Sequence, residues 1–376
     1  MPRLSYELLH HARRIDPLLI PLLHTCRSLP SAENELRWLR EHVASLNTPR
    51  HPLASNASGV LPNAWRRHRL ERLVTARSRG TPLQYLLGTE FFGDLELKVR
   101  PGVLIPRRET AVAIENLASL LRANGKVLRS YLLEARGDGS RLNILDLCTG
   151  TGCIPLLLQR LMRHVGIPTQ ILGIDISPKA VALARENGSH VAHVKDICSF
   201  DRGDIFAESS TKSTSPLESL LATKQMTNID ILVSNPPYVS PRQYLHHTER
   251  SVRNFEPKLA LVPVRRSTLW TSGDAEENDN RHGDAFYPRL LQIANTIIKP
   301  KVFWCEVGDL AQAERVAAMA VDTAAWDGVQ IWADEPAFAS TVQHKEVSGN
   351  AIKLVGEGHG RSVICWRDEG RAWLGL

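Results

Sequence analysis

The amino-acid sequence predicts an α/β protein in which a doubly wound parallel sheet follows a small helical domain. From Leu142 onward, short apolar runs typical of buried strands alternate with segments typical of helices, the pattern of a parallel sheet covered on both faces. Residues 1–80, by contrast, carry leucines at helix spacing and no strand-like run. We therefore expect a helical domain over 1–80, a β-hairpin and linker over 81–110, and the α/β domain over 111–376.

Length and composition limit the class of protein. A chain of 376 residues with 43% hydrophobic and 23% charged residues is typical of a soluble protein with room for two domains. It contains no apolar run near 18 residues that would span a membrane. The six cysteines are scattered, without a Cys-x-x-Cys pair, which indicates reduced thiols and no zinc site. The formal net charge of +6 fits an anionic setting but identifies no partner.

The helical domain ends in a basic helix that could contact a partner. This helix is predicted from about Asn63 and carries six arginines between Arg66 and Arg79. Two interpretations stay open, a solvated helix face or a surface for RNA or an acidic protein. The opening segment, 1–30, mixes arginines with acidic residues, so it is a weak candidate for a transit peptide.

Turn signals and polar runs mark the segments around the predicted strands. The pair Gly93-Asp94 separates two short runs with apolar residues and suits a type II′ hairpin turn. Near the carboxyl terminus we expect an antiparallel hairpin formed by strands at 329–333 and 362–366. Three polar stretches are predicted as inserted loops, namely 124–140, 207–226 and 265–282.

A glycine turn after the first strand of the α/β domain predicts a nucleotide site. The sequence Cys-Thr-Gly-Thr-Gly follows this strand and opens a helix, so backbone N–H groups can approach a ligand closely. The next strand ends at Asp175, which could accept both ribose hydroxyls of an adenosine ligand, and Asp204 could meet the adenine amino group. No Lys-Ser or Lys-Thr follows the turn, which disfavours a P-loop. The candidate cofactor-binding residues are Asp146, Cys148, Thr149, Gly150, Thr151, Gly152, Asp175, Asp204, Ile205 and Asn235.

The run Asn-Pro-Pro-Tyr at 235–238 predicts a site for a planar amino group. Apolar residues lead into it and two prolines end the strand, so Asn235 is expected at the carboxyl edge of the sheet. An amide or aromatic –NH2 is a poor nucleophile, and the carbonyls of Asn235 and Pro236 could accept its two N–H bonds while Tyr238 stacks on its plane. A proline-rich turn without function is the alternative. The candidate catalytic residues are Asn235, Pro236 and Tyr238, and the candidate substrate-binding residues are the same three with Pro237.

Taken together, these stretches resemble the HemK-type protein-(glutamine-N5) methyltransferases, which modify peptide-chain release factors. Asn-Pro-Pro-Tyr alone also occurs in adenine and guanine amino methyltransferases. The Leu-Ile-Pro-Arg loop at 104–107 and the helical domain make the likeness specific, and it covers most of the chain. The matching segments are 35–38, 82–85, 104–110, 146–152, 235–238, 256–257, 283–284, 306–308 and 360–361.

The resemblance implies a Rossmann-like class I S-adenosylmethionine-dependent methyltransferase domain. Its reaction would be N5-methylation of the glutamine in the Gly-Gly-Gln motif of a class-1 release factor, with S-adenosyl-L-methionine as cofactor and no metal. It implies a monomer with neither a membrane partner nor a stable nucleic-acid partner. Two other functions stay open: an amino methyltransferase acting on adenine or guanine in RNA or DNA, and a non-catalytic cofactor-binding scaffold. The helical domain shows no nucleic-acid motif, and the intact cofactor residues argue against a scaffold.

The chain departs from the family pattern in two places. Cys148 stands where the family has the first glycine of its cofactor turn. In the run 107–111, Arg108 and Ala111 stand where the family usually has a proline and a second acid, so an acid that could make a contact or brace the loop is missing here. Inserts longer than those of compact bacterial members, the helical domain and the basic charge favour a mitochondrial location, with a cytoplasmic one as the alternative.

Overall fold

The computed structural model describes residues 4–46, 60–137, 140–163, 166–191, 198–207, 216–226, 228–263, 283–336 and 342–376. Their backbone forms two compact units, one of Met1–Thr89 with Glu249–Phe255 and one of Glu90–Thr248 with Glu256–Leu376. Within the described ranges, no helix combines the length and the apolar character needed to cross a bilayer.

The first unit is a cluster of helices around a leucine-rich core. Its helices are α1 (Tyr6–Ile15), α2 (Leu19–Cys26), α3 (Leu29–Ser45), α4 (Val60–Ser78), α5 (Leu83–Leu87) and, from later in the chain, α12 (Arg250–Phe255). Ser5 caps α1 by accepting a hydrogen bond of 3.2 Å from the N–H of Leu8. Arg77 of α4 donates two hydrogen bonds of 2.7 and 2.8 Å to Glu35 of α3, so a bidentate ion pair joins the two longest helices.

A β-hairpin follows these helices in sequence. Strands β1 (Thr89–Phe92) and β2 (Leu95–Lys98) form a separate two-stranded sheet. Gly93 takes a φ of 59° between them, a value that glycine adopts without steric cost. Leu95 and Leu97 are buried while Glu96 between them is exposed, the alternation of a strand with one covered face.

The second unit is built on a nine-stranded, mostly parallel sheet. Its strands are β3 (Leu142–Leu147), β4 (Thr169–Asp175), β5 (Cys198–Arg202), β6 (Ile231–Ser234), β7 (Val302–Glu306), β8 (Gly328–Glu335), β9 (Val342–Val347), β10 (Asn350–Val355) and β11 (Glu357–Trp366). The order across the sheet is β5-β4-β3-β6-β7-β11-β8-β10-β9, and the first five of these are parallel. Ile144 is level with Ile171 of β4 and Ile231 of β6, so the apolar runs lie side by side. The predicted doubly wound, Rossmann-like sheet is confirmed.

Helices cover both faces of this sheet. The helices of this unit are α6 (Arg108–Ala123), α7 (Gly125–Arg136), α8 (Cys153–Arg163), α9 (Pro178–His190), α10 (Leu217–Thr223), α11 (Pro241–His246), α13 (Phe286–Gln292), α14 (Leu310–Asp322) and α15 (Gly370–Leu374). One apolar core includes residues of α6, α7, α8, α9 and α15, and the other includes residues of α10, α13 and α14. A 3₁₀ turn at Lys258–Ala260 and a π-helical turn at Ile293–Ile297 complete the described helices.

The carboxyl-terminal strands differ from the predicted hairpin. β8 and β11 do pair antiparallel, with Ile331 opposite Val363. However, β9 and β10 lie between them in sequence and extend the sheet beyond β8. The middle of β9 reads Gln-His-Lys-Glu, and most of the strand is exposed, so it lacks the apolar alternation that marks a half-buried strand. That is why the sequence did not reveal it.

Two of the three predicted loop insertions contain a helix, which corrects the prediction. In the first, α7 buries Leu128 and Leu132, which are four residues apart. In the second, α10 buries Leu217 and Leu221 in the same way. One pair of buried leucines defines the covered face of each short helix, but a pair repeats too few times to be a strong periodic signal in the sequence. The third predicted insertion, 265–282, lies outside the described residues.

Candidate active site

The glycine turn after β3 is held by main-chain hydrogen bonds to the end of β4. The N–H of Thr149 donates to the carbonyl of Ile174 at 3.0 Å, and the N–H of Gly150 donates to the carboxylate of Asp175 at 2.9 Å. Gly150 and Gly152 take φ values of 56° and 79°, which glycine accommodates. A Cβ on Gly150 would meet no atom of the described residues within 4 Å, so among these residues the turn leaves open space for a ligand.

Cys148 occupies the first position of this turn in a conformation that favours glycine. Its φ of 66° is left-handed, which costs a residue with a side chain roughly 1–2 kcal/mol. Burial raises the pKa of its thiol well above the usual range, and the nearby carboxyl of Asp175 adds to the rise, so the thiol is neutral. The hydrogen bonds of the turn therefore impose a glycine-type backbone on a cysteine.

Asp175 uses both carboxylate oxygens to order the main chain around the turn. Oδ1 accepts a hydrogen bond from the N–H of Ser177 at 2.8 Å, and Oδ2 accepts the one from Gly150. Burial raises the pKa of this carboxyl, and the hydrogen bonds from the main chain counteract that rise. Each carboxylate oxygen has a second lone pair, so Asp175 can shape the turn and still accept hydrogen bonds from a ligand.

These groups border a cavity at the carboxyl ends of β3, β4 and β6, where ligands bind in open α/β sheets. The predicted site residues on its wall are Cys148, Gly150, Asp175, Asp204, Ile205, Asn235 and Pro237. The predicted residues that do not line it are Asp146, Thr149, Thr151, Gly152, Pro236 and Tyr238. The structure thus brings the glycine turn and the Asn-Pro-Pro-Tyr run to one cavity, although only part of each faces it.

The cavity wall also contains residues that the sequence did not indicate. The rings of Phe206 and Phe286 meet edge to face with their centroids 5.1 Å apart. Phe206 directly follows Ile205, so its position in the sequence could have suggested it. Phe286 carries no such signal, because it enters from α13. Leu104 and Leu259 contribute further apolar surface.

Asp146 lies beneath the turn, away from the cavity. It has no exposed surface, and neither of its carboxyl oxygens has a hydrogen-bond partner in the described parts of the chain. Burial raises its pKa to about 8, and proximity to Asp175 adds to the rise. Asp146 is therefore mainly a neutral acid at pH 7, and its predicted contact with a cofactor stays a prediction.

Asn235 follows β6 at the cavity edge in a loop that is braced from several sides. Ser234 donates a hydrogen bond of 2.8 Å to the carbonyl of Leu147 and so ties β6 to β3. Gln312 donates to the main-chain carbonyl of Tyr238 at 3.2 Å. A Cβ on Gly283 would stand 2.3 Å from that same oxygen, so the close approach requires glycine. The loop is therefore a fixed frame that holds the Asn235 side chain in place.

A buried hydrogen-bond network lies behind Asn235. Asn235 Nδ2 donates to Thr110 Oγ1 at 3.4 Å, and the hydroxyl of Thr110 donates to Glu306 Oε2 at 2.5 Å. The hydroxyl of Tyr238 donates to Glu306 Oε1 at 3.2 Å. Thr110 and Glu306 are only 1% and 2% exposed, and burial raises the pKa of Glu306 to about 7 while the two hydroxyls counteract the rise. We call these four residues the Glu306 network.

A second acid joins two parts of the cavity wall. Glu256 accepts a hydrogen bond of 3.1 Å from the N–H of Ile105 and one of 2.7 Å from Arg107 Nη2. Glu256 is 6% exposed, so the acceptor of this charge-assisted contact is shielded from water, while the Arg107 side chain is partly exposed. Leu104 and Pro257 line the cavity on either side of the contact, and Glu256 therefore fixes their spacing.

The region that contains this site is similar to known methyltransferases. The family model described as a methyltransferase domain matches residues 138–256. The mitochondrial MRF1 N(5)-glutamine methyltransferase MTQ1 of Saccharomyces cerevisiae is 33% identical over 263 residues, which cover 70% of this chain and 68% of that protein. The chain belongs to the release factor glutamine methyltransferase family. The resemblance found in the sequence is confirmed.

Other members of the release factor glutamine methyltransferase family extend the comparison. The probable mitochondrial MRF1 N(5)-glutamine methyltransferase mtq1 of Schizosaccharomyces pombe is 31% identical over 264 residues, or 70% of this chain and 73% of that protein. The release factor glutamine methyltransferase of Thermodesulfovibrio yellowstonii is 29% identical over 255 residues, or 68% and 73%. Among solved structures, the N-terminal domain of human METTL16 aligns at 13% identity with a TM-score of 0.39, covering 78% of this chain and 81% of that one.

Proposed function

We propose that the chain transfers a methyl group from S-adenosyl-L-methionine to the side-chain nitrogen of the glutamine in the Gly-Gly-Gln motif of a class-1 release factor. The observation that carries this proposal is the placement of Asn235 on the wall of the same cavity as Gly150 and Asp175. A planar amide and a nucleoside-type cofactor can meet there. The yeast relatives are named as MRF1 methyltransferases and the bacterial relative as a release factor methyltransferase, which supports the choice of substrate.

The residues on the cavity wall support the choice of this cofactor. When bound, S-adenosyl-L-methionine supplies a methyl group already activated by a sulfonium charge. The open space at Gly150 would admit the ligand, and Asp175 would accept hydrogen bonds from its ribose hydroxyls. Asp204 and Ile205 would meet the adenine, with the Phe206–Phe286 pair as apolar wall beside it.

Asn235, Pro236 and Tyr238 are proposed to hold the substrate amide. The Asn235 side-chain carbonyl and the Pro236 main-chain carbonyl would accept its two N–H bonds, which aligns the nitrogen for transfer, and Tyr238 would stack on its plane. Pro237 lines the cavity beside them. Glu306 is 2% exposed and both of its oxygens already accept hydrogen bonds, from Thr110 and Tyr238, so the nitrogen would release its proton to solvent after transfer rather than to this acid.

The helical unit is proposed to recognise the release factor, with the basic helix α4 steering it. The chain would act as a monomer without a stable nucleic-acid partner. The two yeast relatives are mitochondrial by name, which supports a mitochondrial location over a cytoplasmic one. Imaging of a carboxyl-terminally tagged chain tests the location, and a diffuse cytosolic signal would contradict it.

Mass spectrometry tests the reaction itself. A recombinant mitochondrial class-1 release factor is incubated with the chain and S-adenosyl-L-methionine, and one methyl group is expected on the Gly-Gly-Gln glutamine. The matched control is the same factor with that glutamine changed to alanine, which should stay unmodified. Methylation that persists on the changed factor, or that appears only on RNA, would overturn the proposal.

A further inference from the structure

Thr110 and Glu306 lie away from the cavity surface, yet they connect directly to Asn235. We infer that they are positioning residues that decide whether Asn235 presents its carbonyl or its amino group to the substrate amide. The effect on the glutamine substrate rests on the proposed function, because the same site orients that glutamine. The orientation of Asn235 itself is argued from the hydrogen bonds of the Glu306 network.

The hydroxyl of Thr110 sets the direction of the network. A threonine hydroxyl has a single hydrogen, and because an ionised Glu306 can only accept, that hydrogen is donated to Glu306 Oε2, which lies 2.5 Å away. Only lone pairs of the Thr110 oxygen then remain for Asn235. The amide of Asn235 must therefore face Thr110 with its –NH2 group, as it does at 3.4 Å.

The orientation that Thr110 imposes on the Asn235 amide determines which group of that amide faces the substrate. The carbonyl and amino groups of an asparagine side chain point to opposite sides of the amide carbon. With Nδ2 directed at Thr110, Oδ1 is turned away from it and is free to accept an N–H bond from the glutamine amide. A flipped amide would place N–H against N–H, which is repulsive, and would leave the substrate nitrogen unaligned.

The charge of Glu306 keeps the network in this direction. Both oxygens of Glu306 accept hydrogen bonds, one from Thr110 and one from Tyr238, which is the pattern of an ionised carboxylate. A protonated Glu306 could donate to Thr110, whose own hydrogen would then turn to Asn235 and favour the flipped amide. Glu306 is bonded by Thr110 of α6, by Tyr238 and by Tyr287 of α13, which donates to its main-chain carbonyl at 3.0 Å. It also interacts electrostatically with Glu109 of α6, Cys153 of α8 and Arg361 of β11.

The environment of Glu306 brings its protonation, and with it the change in the preferred orientation of Asn235, into a pH range in which activity can be measured. Burial raises the pKa of Glu306 to about 7, and Arg361 opposes that rise while Glu109 adds to it. Above this pH the carboxylate is charged and Oδ1 of Asn235 faces the substrate. Below it the protonated form weakens that preference, so catalytic efficiency should fall as the pH falls through about 7.

Substitutions of Thr110 distinguish the loss of its hydroxyl, which orients the Asn235 amide, from a change in side-chain packing. Thr110→Val keeps the shape but has no hydroxyl, and it should lower kcat/KM for the release factor about tenfold while the cofactor affinity stays within about twofold. Thr110→Ser keeps the hydroxyl and should recover most of the activity. The matched control is Thr169→Val, because Thr169 is equally buried but lies at the amino end of β4, and it should retain wild-type rates. Equal losses in the Val and Ser variants, or full activity in Thr110→Val, would overturn the inference.

A measurement without substrate tests the inference separately from the proposed function. The ¹⁵N resonance of the Asn235 side-chain amide, assigned by its loss in Asn235→Asp, should shift with pH around a midpoint of about 7. This transition should vanish in Glu306→Gln and in Thr110→Val but persist in Thr169→Val. A resonance that does not shift with pH and is the same in the Glu306 and Thr110 variants would refute the positioning role, even if the release factor is methylated. Failure to methylate the release factor would refute only the proposed substrate and leave this signal as described.

Discussion

The two sides of the cavity are held by different kinds of contact. On the glycine-turn side, main-chain N–H groups of Thr149, Gly150 and Ser177 donate the bonds, two of them to the carboxylate of Asp175. On the Asn235 side, the bonds that reach the Asn235 amide run between side chains, through Thr110 and Glu306. A main-chain frame tolerates a change of side chain, as the cysteine at position 148 shows, whereas a side-chain network loses a link with each substitution. The two sides should therefore respond differently to mutation.

The largest effect is expected at Asn235 itself. Asn235→Ala removes the proposed carbonyl acceptor for the substrate amide, so methylation should slow at least about hundredfold. Cofactor affinity, measured by calorimetry, should fall much less, because the turn and Asp175 remain intact. The exposed Asn228 of the same unit provides a matched control, since Asn228→Ala should keep wild-type rates. A rate within tenfold of wild type for Asn235→Ala would remove its assigned role.

A smaller but still large effect is expected on the other side of the cavity. Asp175→Ala should weaken cofactor binding about hundredfold, because two charge-assisted hydrogen bonds to the ribose would be lost at roughly 1.5 kcal/mol each, the lower end for such bonds. The turn should also loosen, since the N–H groups of Gly150 and Ser177 lose their acceptor. Asp175→Asn retains one acceptor oxygen, so its cofactor affinity should lie between those of the wild type and of Asp175→Ala. Calorimetry that shows unchanged affinity would place Asp175 outside the cofactor site.

The buried acid beneath the turn should appear in the pH dependence of stability. The pKa of Asp146 is raised from its ordinary 3.8 to about 8, so the folded state holds this proton more tightly than the unfolded state. Its contribution to stability is therefore present at low pH and is lost as the pH rises from about 4 to about 8, by at most about 1.4 kcal/mol per pH unit.

Asp146→Asn cannot lose a proton and should lack this slope. Urea unfolding of both proteins at about pH 5 and about pH 8 measures the difference in the free energy of unfolding. The free energy of unfolding of the variant should increase relative to that of the wild type as the pH rises. A difference that is the same at both pH values would show that Asp146 does not titrate as its burial predicts.

The smallest effect is expected at Cys148. Cys148→Gly relieves the left-handed backbone but adds freedom to the unfolded chain, so the free energy of unfolding should change by less than about 1 kcal/mol. Cofactor affinity should stay within about threefold. Cys148→Val places a β-branched side chain at a φ of 66° and should destabilise clearly more, as thermal unfolding would show. Equal stability of the Gly and Val variants would mean that the turn does not enforce this conformation.

The parts of the molecule that could be predicted are those with a local pattern. Apolar runs from Leu142 and the turns that follow them indicated the parallel strands, and the prolines after Asn235 indicated the sheet edge. The link from Thr110 to Glu306 joins residues 196 positions apart and leaves no trace in either segment alone. Phe286 reaches the cavity wall in the same way, through packing of α13. Periodicity reports which face of an element is buried, but it does not report which distant element covers it.

The polar edge strand β9 has a consequence for self-association. It is the last strand in the order of the sheet, and its backbone edge is a template on which another molecule could add a strand. Gln343, His344 and Glu346 are exposed along it, and Lys345 lies 3.9 Å from Glu314. An incoming strand would have to pack beside these charged and polar groups, which discourages edge-to-edge growth into aggregates. The polar and charged residues that give β9 a weak strand pattern in the sequence are therefore also residues that disfavour strand addition at this edge.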